Sequence, residues 1–388
     1  MVNDQQFPPP PGANFVPMVV SSNGHSKAIK IALGIVAALI ALLFGLLVLL
    51  LIGFQTGPVG LLVGMICATI PVPIYVMLVL WIDRYESEPM WMLCTAFFWG
   101  ALVAVFFAYI LNTVTGTAVG MATNPQAGEI FAMVISAPIF EESSKAIILF
   151  IFFFWKKDEF DGVTDGIVYA SLVALGFAMT ENFQYYGGAM IKGMLPGTFI
   201  VRGLFAPFSH PLFTSMTGIG LGLARQSKNT AVKFLAPVGG LLLAMILHAT
   251  WNGSGAFGGG LAFLAIYVVV MIPAFIVLLV VIIFSLRREG RIVREFLLPE
   301  LQRGSLTQQE YEQLMSVWKR MGASFDSLTG GGFARWRVCM QFNQLGSELA
   351  FHRCRVARGI FKSEQAAQER EAAYLQRLSE LLQQLRPS

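Results

Sequence analysis

The chain has 388 residues, of which 55% are hydrophobic and only 13% charged, with 32 Phe and a formal net charge of +4. This composition excludes a soluble globular enzyme and places the chain among membrane proteins. No basic stripe with interleaved aromatics points to nucleic acid, and Cys67, Cys94, Cys339 and Cys354 form no CxxC pair of the kind that builds a zinc cluster or disulfide framework.

Residues 1–27, with FPPPPGANFVP and SSNGHS, are rich in Pro, Gly and Ser and are expected to form a disordered arm. The apolar run that follows is too long, and too far from the N-terminus, for a cleaved signal peptide, so it is expected to be retained. At about 20 apolar residues per crossing, the sequence predicts an all-α polytopic membrane protein with about eight transmembrane helices over 28–286. They start near Ala28, Val59, Trp91, Ile130, Ile167, Phe199, Val232 and Gly260. Lys27, Lys30, Arg84, Lys156, Lys157, Arg225, Lys228, Lys233 and the Arg287–Arg294 cluster fall on one side of this topology, and Lys192 and Arg202 on the other. The positive-inside rule then puts both termini in the cytoplasm. Residues 287–388 read as a cytoplasmic helical tail, opened by the capping-box spacing Thr307 to Glu310 and broken at TGGG, 329–332. It could dock a cytoplasmic partner or associate with itself.

The chemistry lies where the bilayer should tolerate it least. AMVISAPIFEESSKAIILFIFFFW holds Glu141, Glu142 and Lys145 in an apolar span, although each such charge costs roughly 3 kcal/mol on insertion scales. Glu141 and Lys145 are i, i+4 and share a helix face, with Glu142 turned about 100° away. An ion pair needs only one carboxylate, so the second suggests general-base work on water. The next span, GFAMTENFQYY, pairs Phe177 with Glu181 and continues with Asn182; His210 and His248 follow on later spans. His248 and Asn252 are i, i+4 and could offer two donors to one oxygen. Depth counted along the helices lets Glu141, Glu181, His210 and His248 meet in one chamber.

In these residues the sequence resembles the PrsW-type intramembrane protease family. EExxK is matched by Glu141, Glu142 and Lys145, FxxxE by Phe177 and Glu181, and two His motifs by His210 and His248. The approach segment 159–182, with Asp165, Gly166 and Tyr169, is similar too, and the likeness covers about 60–286. Wider relatives are the type II CAAX prenyl proteases and the Abi proteins, whose HxxxN motif is similar to His248-Ala-Thr-Trp-Asn252. The resemblance implies hydrolysis of peptide bonds of a membrane protein, a single-span anti-sigma-factor-like substrate among them, in a bacterial cytoplasmic membrane.

The catalytic set read from the sequence is Glu141, Glu142, Glu181, His210, His248 and Asn252, supported by Lys145, Phe177 and Asn182. Glu141, assisted by Glu142, activates water; His248 and Asn252 steady the oxyanion; His210 and Glu181 orient the water or protonate the leaving amine. With no HExxH present and one His per helix, no cofactor is favoured. Zinc held by Glu141, Glu181, His210 and His248 is the alternative. A cation- or proton-coupled transporter would also use intramembrane carboxylates, but no internal repeat accompanies them; a non-catalytic scaffold is the third reading.

Overall fold

The computed structural model describes residues 24–157, 159–257, 259–359 and 363–386, and among these it is helical throughout, with no strand. Most of the predicted arm, 1–23, lies outside the described residues. Helix α1, Gly24–Thr69, has one non-helical residue, Gly57 (φ 66°), followed by Pro58. Only glycine occupies that φ without penalty, and Pro58 cannot supply an N–H to continue the first helix. The chain turns back here: Gln184 donates to Gln55, after which Gly60 and Gly64 pass Gly187 and Phe183 in turn. The two first predicted spans are thus the arms of one bent helix, continued by α2, Val72–Ile82.

Next come α3, Met90–Phe98, and α4, Val105–Ala122, joined through a π-helical turn at Trp99–Ala104. Likewise α5, Pro125–Phe131, enters α6, Ala137–Trp155, through a π-turn at Ala132–Ser136. At the centre stands α7, Val163–Ile191, buried along nearly its whole length. Its glycines allow backbone-to-backbone approach: a Cβ on Gly166 would lie 2.1 Å from the carbonyl oxygen of Gly218, and one on Gly176 would lie 2.0 Å from that of Phe97. In lipid, where no hydrophobic force separates protein from solvent, such small-residue contacts are a main source of helix association.

The segment predicted as one span from Phe199 is interrupted. Short α8, Leu195–Phe199, runs into a π-turn at Ile200–Phe205, and α9, Ser209–Gln226, starts afresh after Ala206–Phe208. Helix α10, Thr230–Phe257, extends through Gly253-Ser-Gly. Then α11, Gly259–Ile266, passes a π-turn at Tyr267–Met271 into α12, Ile272–Gln302.

Five helical stretches among the described residues are long and apolar enough to cross a membrane: Ile31–Ile82, Met90–Ala122, Val163–Ile191, Thr230–Ala256 and Gly259–Gln302. The two helices bearing Glu141 and His210 are not in that set: Glu141, Glu142 and Lys145 charge the first, and the second is short and polar along its length, ending in Arg225 and Gln226. Many large apolar side chains point outward, among them Leu46, Phe54, Leu242 and Phe284, which suits a bilayer as solvent.

The expected boundary between membrane and tail at 286/287 falls inside α12, so the tail is continuous with the last span. Thr307 caps α13, Gln308–Met315, through reciprocal bonds with Glu310. Helix α14, Val317–Ala357, breaks at Gly332 (φ 70°) within the predicted TGGG, and its halves pack together, since Asn343 donates to Ser324. With α15, Glu364–Leu385, they bury a second core around Leu297, Leu314, Phe342 and Leu381.

Candidate active site

Seven of the sequence-predicted residues converge between α6, α7, α9 and α10. Glu142, Lys145 and His248 are at most 1% exposed, and Glu141 and His210 are 6% and 7% exposed. Lys145 is the hub. Its Nζ lies 2.9 Å from Glu142 Oε1 and 3.6 Å from Glu141 Oε2, 3.1 Å from His210 Nδ1, and 4.0 Å above the Phe177 ring. The tighter carboxylate partner is therefore Glu142 at i−3 rather than Glu141 at i−4. Both spacings bring side chains together on a helix, and the i−4 spacing alone does not select between them.

Glu142 is fully occupied: Thr214 Oγ1 donates to its Oε2 at 2.8 Å, and His248 Nδ1 lies 3.0 Å from its Oε1. An ionised carboxylate only accepts, so His248 carries its proton on Nδ1 and leaves the Nε2 lone pair open. The His248 ring also stacks on Phe213. By the same logic, the ammonium on His210 Nδ1 puts the His210 proton on Nε2, which bonds Glu181 Oε2 at 3.1 Å. Glu181 in turn pairs with Arg202, whose Nε donates to Asn182 Oδ1.

Glu141 differs from its neighbours. Its Oε1 receives a long 3.5 Å contact from Asn112 Nδ2. Its Oε2 is buried with no hydrogen-bond partner, while His248 Nε2 lies 3.9 Å away. Asn112 is itself held by Ser136, which donates to its Oδ1 at 2.8 Å. Asn252 does not join the centre: its Nδ2 donates to the carbonyl of Met133 at 2.9 Å, fastening α10 to the π-turn before α6.

The sequence reading omitted Asn112, Thr214 and the pairing of Arg202. Asn112 and Arg202 could have been flagged as polar residues within apolar runs, but Thr214, in a helix with several hydroxyls, carries no such signal.

A metal can be tested against these donors. Glu141, His210 and His248 offer ligand atoms that all lie within 4.8 Å of one another, a suitable set in number and type. Glu181, the fourth ligand expected, stands behind His210 instead. Lys145 occupies the middle of the group and engages His210 Nδ1, so His210 can ligate only once Lys145 or Glu181 gives way.

Buried carboxylates and imidazoles gather here among helices that face lipid, the arrangement expected of the intramembrane protease class. Comparison with known proteins agrees. Residues 88–278 match the family model described as PrsW family intramembrane metalloprotease. Protease PrsW of Geobacillus kaustophilus (strain HTA426) is 33% identical over 173 residues, 44% of this chain and 69% of that protein. Protease PrsW of Bacillus subtilis (strain 168) is 32% identical over 174 residues, 44% and 72% of the two chains. No solved structure gives a significant match. The chain belongs to the PrsW family and is an integral membrane protein. The matched region contains every residue of the centre, whereas the end of the last span and the tail, 279–388, lie outside it.

Proposed function

We propose that the chain is an endopeptidase that hydrolyses a peptide bond of a membrane-embedded, single-span protein, with Glu141 as the base that activates water. One observation carries this reading: Glu141 Oε2 is the one buried carboxylate oxygen among the described residues without a hydrogen bond. Glu142 and Glu181 are already committed to positioning His248 and His210.

In this mechanism Glu141 takes a proton from water as the oxygen attacks the scissile carbonyl. The C–N bond then breaks, and Glu141 returns the proton to the leaving nitrogen. The open Nε2 of His248, oriented by Glu142, holds the water's second hydrogen. Lys145, the fixed cation of the site, opposes the charge that develops on the carbonyl oxygen. Arg202 and Asn182 keep Glu181 against His210, and His210 keeps Lys145 in place. Asn252 holds α10 rather than the oxyanion. A metal, if bound, would be held by Glu141, His210 and His248 and would supply Lewis-acid polarisation of the carbonyl and a more acidic water.

The arginine and lysine distribution supports eight crossings with both termini in the cytoplasm of a bacterial cell, α1 making two of them around Gly57. The test compares membrane proteomes of cells expressing the wild type and Glu141→Gln. A single-span protein accumulating intact only with the variant is expected, and its cleavage is then repeated with purified enzyme. Activity surviving exhaustive chelation, with no metal measured in the purified protein, supports the glutamate route; loss that is restored by zinc refutes it. An unchanged proteome with a folded variant, across inducing conditions, favours transport or scaffolding.

A further inference from the structure

Where α12 leaves the bilayer it carries RREGRIVR, residues 287–294. A helix with 3.6 residues per turn sorts these arginines onto two sides. Arg288 and Glu289 line a polar cleft shared with Asp161 and Arg355. Arg287, Arg291 and Arg294 line a different cavity of about 580 Å³. Its remaining walls are apolar or uncharged, including Trp81 at the end of α2, Ile283 and Leu286 on α12, and Trp318 at the start of α14. Among the described residues no carboxylate lines it, and none of its three arginines makes an ion pair. Elsewhere Arg202, Arg353 and Arg355 each have a carboxylate partner.

These three exposed guanidinium groups gather positive charge on one cavity and attract an anion to it. The cavity is also amphipathic. Its apolar end is continuous with the outward face of α12, where Ile283 is 48% and Phe284 63% exposed. Trp81 and Trp318 flank the cationic end, as aromatic residues do at the headgroup level of a bilayer, and the Arg84 guanidinium stacks 4.6 Å from the Trp81 ring centroid. Trp318 is 75% exposed, an expensive placement in water but a suitable one against lipid.

We infer that this cavity binds one anionic phospholipid from the leaflet on the tail side, its phosphate on Arg287, Arg291 and Arg294 and an acyl chain along Ile283 and Leu286. Because Met315 to Trp318 form one wall, the bound lipid joins the last span to the helical tail. The tail's seat on the membrane domain thereby depends on the charge of the bilayer.

The experiment places full-length protein in nanodiscs of phosphatidylcholine, alone or mixed with phosphatidylglycerol. It measures the lipid retained after detergent extraction by mass spectrometry. Selective retention of phosphatidylglycerol is expected. The triple variant Arg287→Gln, Arg291→Gln, Arg294→Gln should weaken it about a hundredfold, at about 1 kcal/mol per arginine and about 1.4 kcal/mol per decade. Arg288→Gln, on the other cleft, should leave it unchanged. Should the triple variant fail to fold, Arg291→Gln alone is expected to give about a fivefold loss. Equal retention of both lipids, or retention indifferent to these arginines, overturns the proposal. Displacement of phosphatidylglycerol by inorganic phosphate regardless of chain length assigns the site to a free anion and overturns the lipid.

Discussion

Replacing Lys145 by Met removes the one ammonium that touches both carboxylates of the EExxK segment while keeping an unbranched chain of similar length. At an effective dielectric of about 20, unit charges 2.9 and 3.6 Å apart attract by about 6 and about 5 kcal/mol. Desolvation of all three groups offsets most of this, and losing one partner of a buried pair costs about 3–5 kcal/mol net. We therefore expect Lys145→Met to destabilise the protein by about 3–5 kcal/mol and to abolish proteolysis. The hydrogen bond to Glu142 and the looser approach to Glu141 predict unequal coupling. In double-mutant cycles, Lys145→Met with Glu142→Gln should show about 2–3 kcal/mol of coupling, and with Glu141→Gln about 1 kcal/mol. Reversible unfolding by SDS in mixed micelles measures these values. A larger coupling to Glu141, or a single-variant cost below about 1 kcal/mol, would refute the assignment of Lys145 as hub.

Thr214→Val keeps the shape of α9 but leaves Glu142 Oε2 without its 2.8 Å donor; a loss of about 1.5–3 kcal/mol and a lower kcat at unchanged KM are expected in unfolding and cleavage assays. Gly218→Val would force α9 off α7, since its Cβ falls 2.0 Å from the Gly166 carbonyl oxygen; destabilisation of about 3 kcal/mol is expected, and a wild-type unfolding curve would refute the close contact. The loop between α2 and α3 predicts a pH effect. Burial, with neighbouring acids adding to it, holds the carboxyls of Asp83, Glu86 and Glu88 well above their ordinary range. The folded state then keeps protons that the unfolded chain has released, so stability should rise as pH falls from neutrality toward the ordinary glutamate value of 4.5. Thermal unfolding from pH 8 downward checks this, and Glu88→Gln should flatten the slope.

Charged residues in apolar runs made the centre legible in the sequence, because the bilayer makes each such residue costly. Glu141, Glu142, Lys145, Glu181, His210 and His248 do meet, as counting depth along straight helices predicts. Their pairing was less visible: i, i+3 and i, i+4 neighbours are equivalent in sequence, so Glu142 as the tighter partner of Lys145 emerges only from packing. Asn252 shows the limit of face arithmetic, since sharing a face with His248 did not stop its amide from reaching Met133. The helix breaks were partly legible. Gly57-Pro58 is a punctuation mark that the sequence displays, and Thr307 to Glu310 caps as expected. Nothing in an apolar run announces a change from i→i+4 to i→i+5 bonding, so the π-turns went unseen.

Those π-turns have a consequence for how this chain tolerates insertions and deletions. The turn at Ala132–Ser136 ends five residues before Glu141, and the turn at Trp99–Ala104 ends eight before Asn112. Each winding accommodates one residue more than an α-helix of equal length. Removing a single residue from either lets the turn relax to ordinary winding while everything downstream keeps its place. Glu141 and Asn112 would then stay in the bundle, whereas one residue more, with no slack left to absorb it, would swing them by about 100°. An alignment gap of one residue in these turns is thus compatible with a preserved site.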